Sequence, residues 1–503
     1  MVQFEHGRIL VVAMIGPGHS KPPKMLCIST KTATVRSPRL IASHLNAGGG
    51  DKHNNREQIM SYSPAPDQGQ DDTRNALYRR ITLRLIPFIF ICYLFNYLDR
   101  VNVGFAKLQM LDALKFSETI YGLGAGIFFI GYVLCGLPSN LALNRFGPRR
   151  WIALMMIAWG ALSTCLLFVT TPMEFYVLRL FTGAAEAGFF PGIVLYLSRW
   201  FPATRRGRIM ALFMSAIPVS GLLGGPFSGW ILNHFAAGQH GLAGWQWMFL
   251  IQGLPTVLLG FLAIFLLSDG YATAKWLSPA EREMIKHDLA VDAANKPVTA
   301  SDSLLSVFTN PMIWTFGFVY FCIQSGVYAI NFWLPSIIKS LGFSDALLIG
   351  WLSAIPYLLA GVFMLLVGRS ADLRNERRWH LVVPMLMGAV GLLIAVNFAH
   401  NPVIAIIGLS IATMGALTGL PMFWPMPTAL LSAGTAVAGL AIINSVGQMA
   451  GFLSPYLVGF IKDQTGSTDA ALYSLAALIV VGSLVALRVS RVRSGALVGE
   501  QVN

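Results

Sequence analysis

Four ionisable side chains stand inside apolar stretches of this chain: Asp99, Arg100, Arg179 and Glu186. A charge at bilayer depth costs roughly 2.5–3.5 kcal/mol on insertion scales, so such residues are usually there for a use. Arg179 and Glu186 lie seven residues apart in YVLRLFTGAAEAGFFPGIVLYLSRW, residues 176–200. That spacing is almost two helical turns, which puts them on one face about 10 Å apart along the axis. They are too far apart to pair directly, so each needs a separate partner or a solute. Two guanidinium groups can grip a carboxylate through bidentate, charge-assisted hydrogen bonds. A carboxyl group in a low-dielectric setting can take and release a proton as a solute comes and goes. The set therefore reads either as structural charges pairing helices or as a cavity that captures a carboxylate and exchanges protons, and the chemistry favours the cavity.

The elements that must position these groups are transmembrane helices. The chain has 503 residues, of which 55% are hydrophobic and 12% charged. Soluble domains average about 25% charged, so a soluble globular class is excluded. Apolar runs long enough to span a bilayer follow one another from Tyr78. They are placed near 82–106, 119–143, 151–170, 174–198, 207–232 and 246–268, then 308–338, 345–368, 380–399, 402–424, 437–461 and 471–489. The expected class is an all-α membrane protein of twelve helices in two six-helix halves. Residues 1–77 read as a disordered tail, 78–268 as the first bundle, 269–307 as a polar linker, 308–489 as the second bundle and 490–503 as a closing tail. The linker carries AEREMIKHDLA, an amphipathic surface-helix pattern. The run Ile9–Ile15 is a weak apolar segment far ahead of the first span, and Met60 is the expected translation start.

The net charge of +13 has a distribution that suits membrane orientation and not a nucleic-acid footprint. Basic residues gather at Arg145, Arg149 and Arg150, at Arg205, Arg206 and Arg208, and at Arg374, Arg377 and Arg378, whereas the opposite loops hold Lys107, Lys115, Lys339 and Lys462. By this asymmetry both termini are cytoplasmic. The five cysteines offer no disulfide or metal framework, and no metal or cofactor is expected. The histidines fall in the tail, loops or span ends, which argues against a deep histidine relay.

LALNRFGPRRW follows the second span and VGRSADLRNERRW the eighth, so the same short basic loop occurs once in each half. These loops resemble the loop-2–3 motif of the major facilitator superfamily. Arg145, Gly147, Arg149 and Arg150 match in the first copy, while Asn140 and Asn144 replace the motif's glycine and aspartate; Gly368 and Asp372 match in the second. In that superfamily the loops gate the cytoplasmic face, so the missing aspartate puts an Asp-based lock in the first half in doubt. YLDRVNVGF (97–105), GAAEAGFFP (183–191), GWQWMFLIQGLP (244–255), FWLP (332–335) and INSVGQMAGFLSPYLVG (443–459) together resemble the anion:cation symporter family, its tartrate, phthalate and hydroxyphenylacetate permease-like members in particular. The similarity covers roughly residues 78–490. Gln252 and Gln448 depart from the commoner Glu and Asn.

The resemblance implies substrate-carboxylate contacts for Arg100 and Arg179, coupling protons for Asp99 and Glu186, and a substrate contact for Tyr132. Asp99 has the alternative of pairing an arginine to hold the bundle, and Tyr132 that of a packed aromatic. The second half has no membrane charge; its polar candidates are Tyr328, Asn331, Asn444, Ser445 and Gln448, which either bind substrate hydroxyls or join helices. Trp333, Phe423 and Trp424 are candidate cavity aromatics, and Gly225–Pro226, Pro335 and Pro425 are candidate kinks. The resulting expectation is a monomer in a bacterial-type inner membrane that imports a small organic carboxylate with a proton, or with sodium in its place. The rival is a proton-driven efflux antiporter, suggested by GLLGGPFSG at 221–229. No HExxH, G-x-S-x-G or P-loop motif points to an enzyme.

Overall fold

The structure is a computed structural model that describes residues 2–5, 8–11, 68–235, 241–294, 304–374, 376–431 and 433–499. The chain divides into two units, Met1–Pro66 and Asp67–Asn503. In the first, β1 (Val2–Glu5) pairs antiparallel with β2 (Arg8–Val11), with Val2 opposite Val11 and Glu5 opposite Arg8. The tail expected to be disordered thus holds one short hairpin, consistent with the alternating apolar and polar residues of VQFE. Met60 and the rest of that tail lie outside the described residues.

The regular structure of the second unit is helical. The first half comprises α1 (Gln68–Leu114), α2 (Glu118–Phe146), α3 (Pro148–Cys165), α4 (Pro172–Glu186), α5 (Phe189–Ser198), α6 (Ala203–Met214), α7 (Ala216–His234) and α8 (Gly244–Leu266). The linker contributes α9 (Pro279–Ala294) and α10 (Leu304–Thr309). The second half comprises α11 (Pro311–Ser340), α12 (Ala346–Arg374), α13 (Arg378–Asn397), α14 (Pro402–Phe423), α15 (Pro425–Leu430), α16 (Ala433–Thr465) and α17 (Asp469–Gly499). Among the described residues, 11 helical stretches are long and apolar enough to cross a membrane, and α16 occupies the remaining expected position.

Local chemistry explains several boundaries. Ser117 caps α2 by accepting the N–H of Ile120, and Thr171 with Glu174 forms a capping box that starts α4. Asn310 and Asn401 cap α11 and α14, each followed by a proline at the first helical position. The fourth span breaks between α4 and α5, where Pro191 has no N–H for the carbonyl of Ala187. α1 overruns its expected limits at both ends, starting ten residues before Tyr78 and carrying Lys107 inside the helix.

Close helix contacts rest on small residues. A Cβ added at Gly183 of α4 would meet the Phe128 carbonyl oxygen of α2 at 1.8 Å. Between halves, a Cβ at Gly122 would lie 2.4 Å from the Pro455 oxygen, and Gly225 and Gly350 face each other with equivalent separations of 2.5 and 2.4 Å. These approaches join α2 to α16 and α7 to α12 near the turns at 115–117, 341–345 and 466–468, here termed the far face. α9, the amphipathic linker helix, docks at the opposite near face. Its Asp288 accepts from Tyr78 at 3.0 Å and lies 3.3 Å from Arg74, and its Glu281 pairs with Arg80 at 2.5 Å.

Gly183→Leu drives a side chain into the α2 backbone. Overpacking typically costs about 1–3 kcal/mol, so the detergent-solubilised protein is expected to melt several degrees lower. An unchanged melting midpoint would show that α2 and α4 can separate without cost.

Candidate functional site

α1 carries the site because its successive faces point to different neighbours. Arg100 turns toward α4 and donates through Nε and a terminal nitrogen to Oε1 of Glu186. The Glu186 side chain is 1% exposed and that of Arg100 13%. The guanidinium also lies 5.3 Å from the Tyr132 ring and 5.6 Å from the Phe128 ring. Arg179 takes a different environment. It donates to the carbonyls of Gly124 and Ala125 at 3.3 Å each and stacks over Phe128 at 4.7 Å. As the spacing required, Arg179 and Glu186 do not pair with each other: one takes α2 carbonyls, the other takes Arg100.

Asp99 points away from both arginines, into the space between α1, α3 and α8. It receives Ser163 Oγ at 3.2 Å, Thr256 Oγ1 at 3.2 Å, Trp159 Nε1 at 3.3 Å and Asn102 Nδ2 at 3.4 Å. The alternative in which Asp99 pairs with an arginine is therefore not the arrangement seen; its four partners are neutral.

Of the second-half candidates, Tyr328 donates to Gln448 Oε1 at 2.5 Å and receives Gln324 Nε2 at 3.1 Å. The Tyr328 ring packs against Phe129 of α2 at 4.3 Å, which brings this polar group to the same central region as Tyr132. Asn331 bridges the halves: it donates to Tyr97 of α1 at 3.0 Å and accepts from Tyr357 of α12 at 2.7 Å. Asn444 and Ser445 are half-buried on α16. Phe423 and Trp424 pack around Tyr320, both at 4.9 Å, and Trp333 is fully buried. Tyr357 was not singled out from the sequence, because a tyrosine within an apolar span carries no signal until its hydroxyl finds a partner.

A second missed residue is Lys107. Sequence counting placed it in a loop, leaving four charges within the spans; the continuation of α1 buries it to 4% exposure. Its ammonium lies 2.6 Å from Glu118 and 3.4 Å from the Trp333 ring centre. Lys462 of α16 reaches the other oxygen of Glu118, also at 2.6 Å. Asp463 accepts the backbone N–H groups of Glu118 and Thr119 at 3.1 and 2.7 Å, and the Thr119 hydroxyl as well. The second half thus caps the first turn of α2, satisfying donors that have no partner within their own helix. This far-face cluster ties the halves together above the Arg100–Glu186 pair.

At the near face, Gly147 adopts φ 84°, a left-handed value that favours glycine. The Arg149 N–H donates to Asp269 at 3.2 Å, and its guanidinium donates to the Ile264 carbonyl. An aspartate from just beyond α8 therefore holds this loop, where the expected motif aspartate is replaced by Asn144, whose side chain lies outside the described residues. Arg145 is exposed, and Gly368 lies 3.8 Å, measured from an added Cβ, from Met422. Asp372 pairs with Arg377. Burial raises the Glu376 carboxyl, but the Trp379 and His380 N–H groups and the His380 imidazole outweigh it and hold the group below the usual carboxylate range.

Comparison with known proteins supplies the context. The model of the Major Facilitator Superfamily matches residues 89–455. The metabolite transport protein NicT of Pseudomonas putida, a provisional name, is 46% identical over 411 residues, covering 82% of this chain and 94% of that protein. An Agrobacterium vitis protein that carries the provisional name of tartrate transporter is 45% identical over 420 residues, covering 84% and 96%. The crystal structure of a D-xylose-proton symporter superposes with a TM-score of 0.65 at 15% identity, covering 81% of this chain and 97% of that one.

Asp463→Asn and Lys462→Met weaken the far-face cluster from the second half alone. A cysteine placed at Tyr121, in a cysteine-free background, is expected to react several-fold faster with a membrane-impermeant maleimide in either variant. Equal rates would mean that the cluster does not hold the far face shut.

Proposed function

We propose, from the premise that the chain belongs to the Major Facilitator Superfamily and stands in its anion:cation symporter-like branch, that it imports a small organic carboxylate together with a proton. The observation that carries the reading is the Arg100–Glu186 pair, buried at the meeting point of α1, α2 and α4 beside Tyr132. A substrate carboxylate is a chemical equivalent of Glu186 and competes with it for the same guanidinium. Once displaced, Glu186 would be an unpaired buried charge, and taking a proton removes that penalty. Anion binding and protonation are thereby coupled through one arginine.

Charge balance supports the same cycle. Asp99, Arg100, Arg179 and Glu186 sum to zero, so a monoanion enters without net charge only if a cation accompanies it. Arg179, held by two carbonyls and an aromatic face, keeps a positive charge near the site in every step. Tyr132 and Tyr328 form aromatic walls, while Gln448 and Asn444 are the hydrogen-bonding groups for the far end of the solute. Asn331 joins α1 to α11 and α12, so it reports substrate arrival by exchanging its tyrosine partners. Asp99, enclosed behind α1, is the second coupling carboxylate.

Rocking of the halves about this site would open the far face as the Glu118 cluster separates and close the near face through the loops at Gly147 and Asp372. The Lys/Arg asymmetry orients both termini to the cytoplasm of a bacterial inner membrane. A tartrate-like hydroxy acid or an aromatic acid is the substrate class, matching a relative's name and the aromatic walls. The string GLLGGPFSG, which suggested efflux, is occupied by the α7–α12 contact at Gly225 and Gly229.

Proteoliposomes with an inward proton gradient, offered labelled tartrate, phthalate and 4-hydroxyphenylacetate, test the reading. One acid is expected to accumulate; Arg100→Ala abolishes uptake, and Glu186→Gln retains exchange but loses proton-driven accumulation. Movement of an organic cation against the proton flow, with no acid taken up, would instead establish efflux.

A further inference from the structure

The near-face end of α1 carries cations and an aromatic stack that the transport cycle leaves idle. Trp276 lies in the turn between α8 and α9, its ring stacked on the fully buried Trp200 at 5.7 Å. The guanidinium of Arg84 stands over the Trp276 ring at 4.8 Å, and that of Arg80 at 5.9 Å. Arg80 also pairs with Glu281 of α9, yet its side chain stays 52% exposed. Arg84 is exposed and makes no ion pair or hydrogen bond among the described residues. Lys275, the neighbour of Trp276, is exposed and unpaired in the same sense. Stacking occupies the flat face of a guanidinium. Its in-plane N–H donors remain free for a bidentate acceptor.

The depth of Arg84 indicates which acceptor. The helical rise from Arg84 to Lys107 is about 34 Å, against a hydrocarbon layer about 30 Å thick. Lys107 belongs to the far-face cluster, so Arg84 stands at the opposite edge of the hydrocarbon, level with lipid phosphates. Helical side chains lean toward the N-terminus, which aims the Arg84 head outward into the near-face headgroup layer. Arg80, Leu83, Arg84, Pro87 and Ile91 fall within an arc of about 100° on α1. All five are exposed, Leu83 at 65% and Ile91 at 43%. Two arginines thus head an apolar stripe that runs on into the bilayer. That pattern matches an acidic phospholipid, with its phosphate at the guanidinium groups and its chains along the stripe. Membrane orientation alone asks only for positive charge at this face. It does not ask for an unpaired arginine laid on a tryptophan pair.

We propose that Arg84, Arg80 and Trp276 bind the phosphate of an acidic phospholipid from the near-face leaflet. The headgroup bridges α1 and the turn that leads into α9, and so braces the linker helix against the first half. This binding is independent of which solute the protein carries. Delipidated full-length protein is given phosphatidylglycerol, phosphatidylethanolamine or phosphatidylcholine, all with oleoyl chains. Native mass spectrometry counts the lipids retained, and a melting curve follows stability. Phosphatidylglycerol is expected to be retained at least five-fold more than phosphatidylcholine and to raise the midpoint saturably. Arg84→Gln is expected to remove most of that preference while still melting cooperatively in phosphatidylcholine. Lys275→Gln, an exposed change that leaves α1 untouched, lowers it about two-fold. Arg208→Gln makes the same charge change at an exposed near-face arginine with no ring beneath it, and is expected to keep the preference. Equal retention of the three lipids, or equal losses in Arg84→Gln and Arg208→Gln, would overturn the site. A midpoint rise as large with glycerol 3-phosphate would assign the arginines to a free phosphate and overturn the lipid.

Discussion

Charges inside a low-dielectric bundle have to be matched locally, and this requirement organises the centre of the molecule. Arg100 and Glu186 come from helices far apart in sequence and satisfy each other. Removing either partner leaves an uncompensated buried charge, a condition usually costing several kcal/mol. The pair is consequently stable only as a pair, or with a substitute for one member. A solute carboxylate is such a substitute. The same rule explains why Arg179 is wrapped by carbonyls and a ring, and why Asp99 gathers every neutral donor around it.

The scaffold keeps these charges close by bringing backbones closer than ordinary side chains allow. Gly183 places α4 against α2, so that Arg179 reaches the carbonyls of Gly124 and Ala125 one turn nearer the far face. Gly122, Gly225 and Gly350 do the same between halves. In a membrane, packing of this kind replaces the hydrophobic drive that holds a soluble core together. Tight interfaces between halves also make the arrangement switchable, since a few groups at one end, Lys107, Glu118, Lys462 and Asp463, concentrate the polar attraction.

Much of the fold was legible in the sequence because a bilayer imposes its own length on each span. Apolar runs, loop charges and the duplicated basic loop led to two six-helix halves, with the departures lying at helix boundaries and in the short hairpin of the leading tail. α1 shows why boundaries fail: polar residues such as those of QDDTRN continue a helix as readily as they end it. Lys107 was lost through that error. The candidate residues on the first and fourth spans were legible because a charge in an apolar run announces itself. Tyr357, Gln324 and the Asp463 cap were not, since neutral polar groups and surface acids look ordinary until a distant partner is placed beside them.

The sequence alone determined that this is a polytopic helical membrane protein with Asp99, Arg100, Arg179 and Glu186 inside its spans, because the cost of charge in hydrocarbon makes residue type informative without coordinates; the transporter reading came with the motif resemblance. It also ruled out an Arg179–Glu186 pair, since helical rise separates them. Only the tertiary structure decided the partnerships. Asp99 and Arg100 are neighbours in the chain, yet helical rotation turns one toward α3 and α8 and the other toward Glu186. Periodicity gives the angle between two side chains on one helix; which neighbours fill those directions depends on how helices contributing residues 64 to 157 positions away are packed.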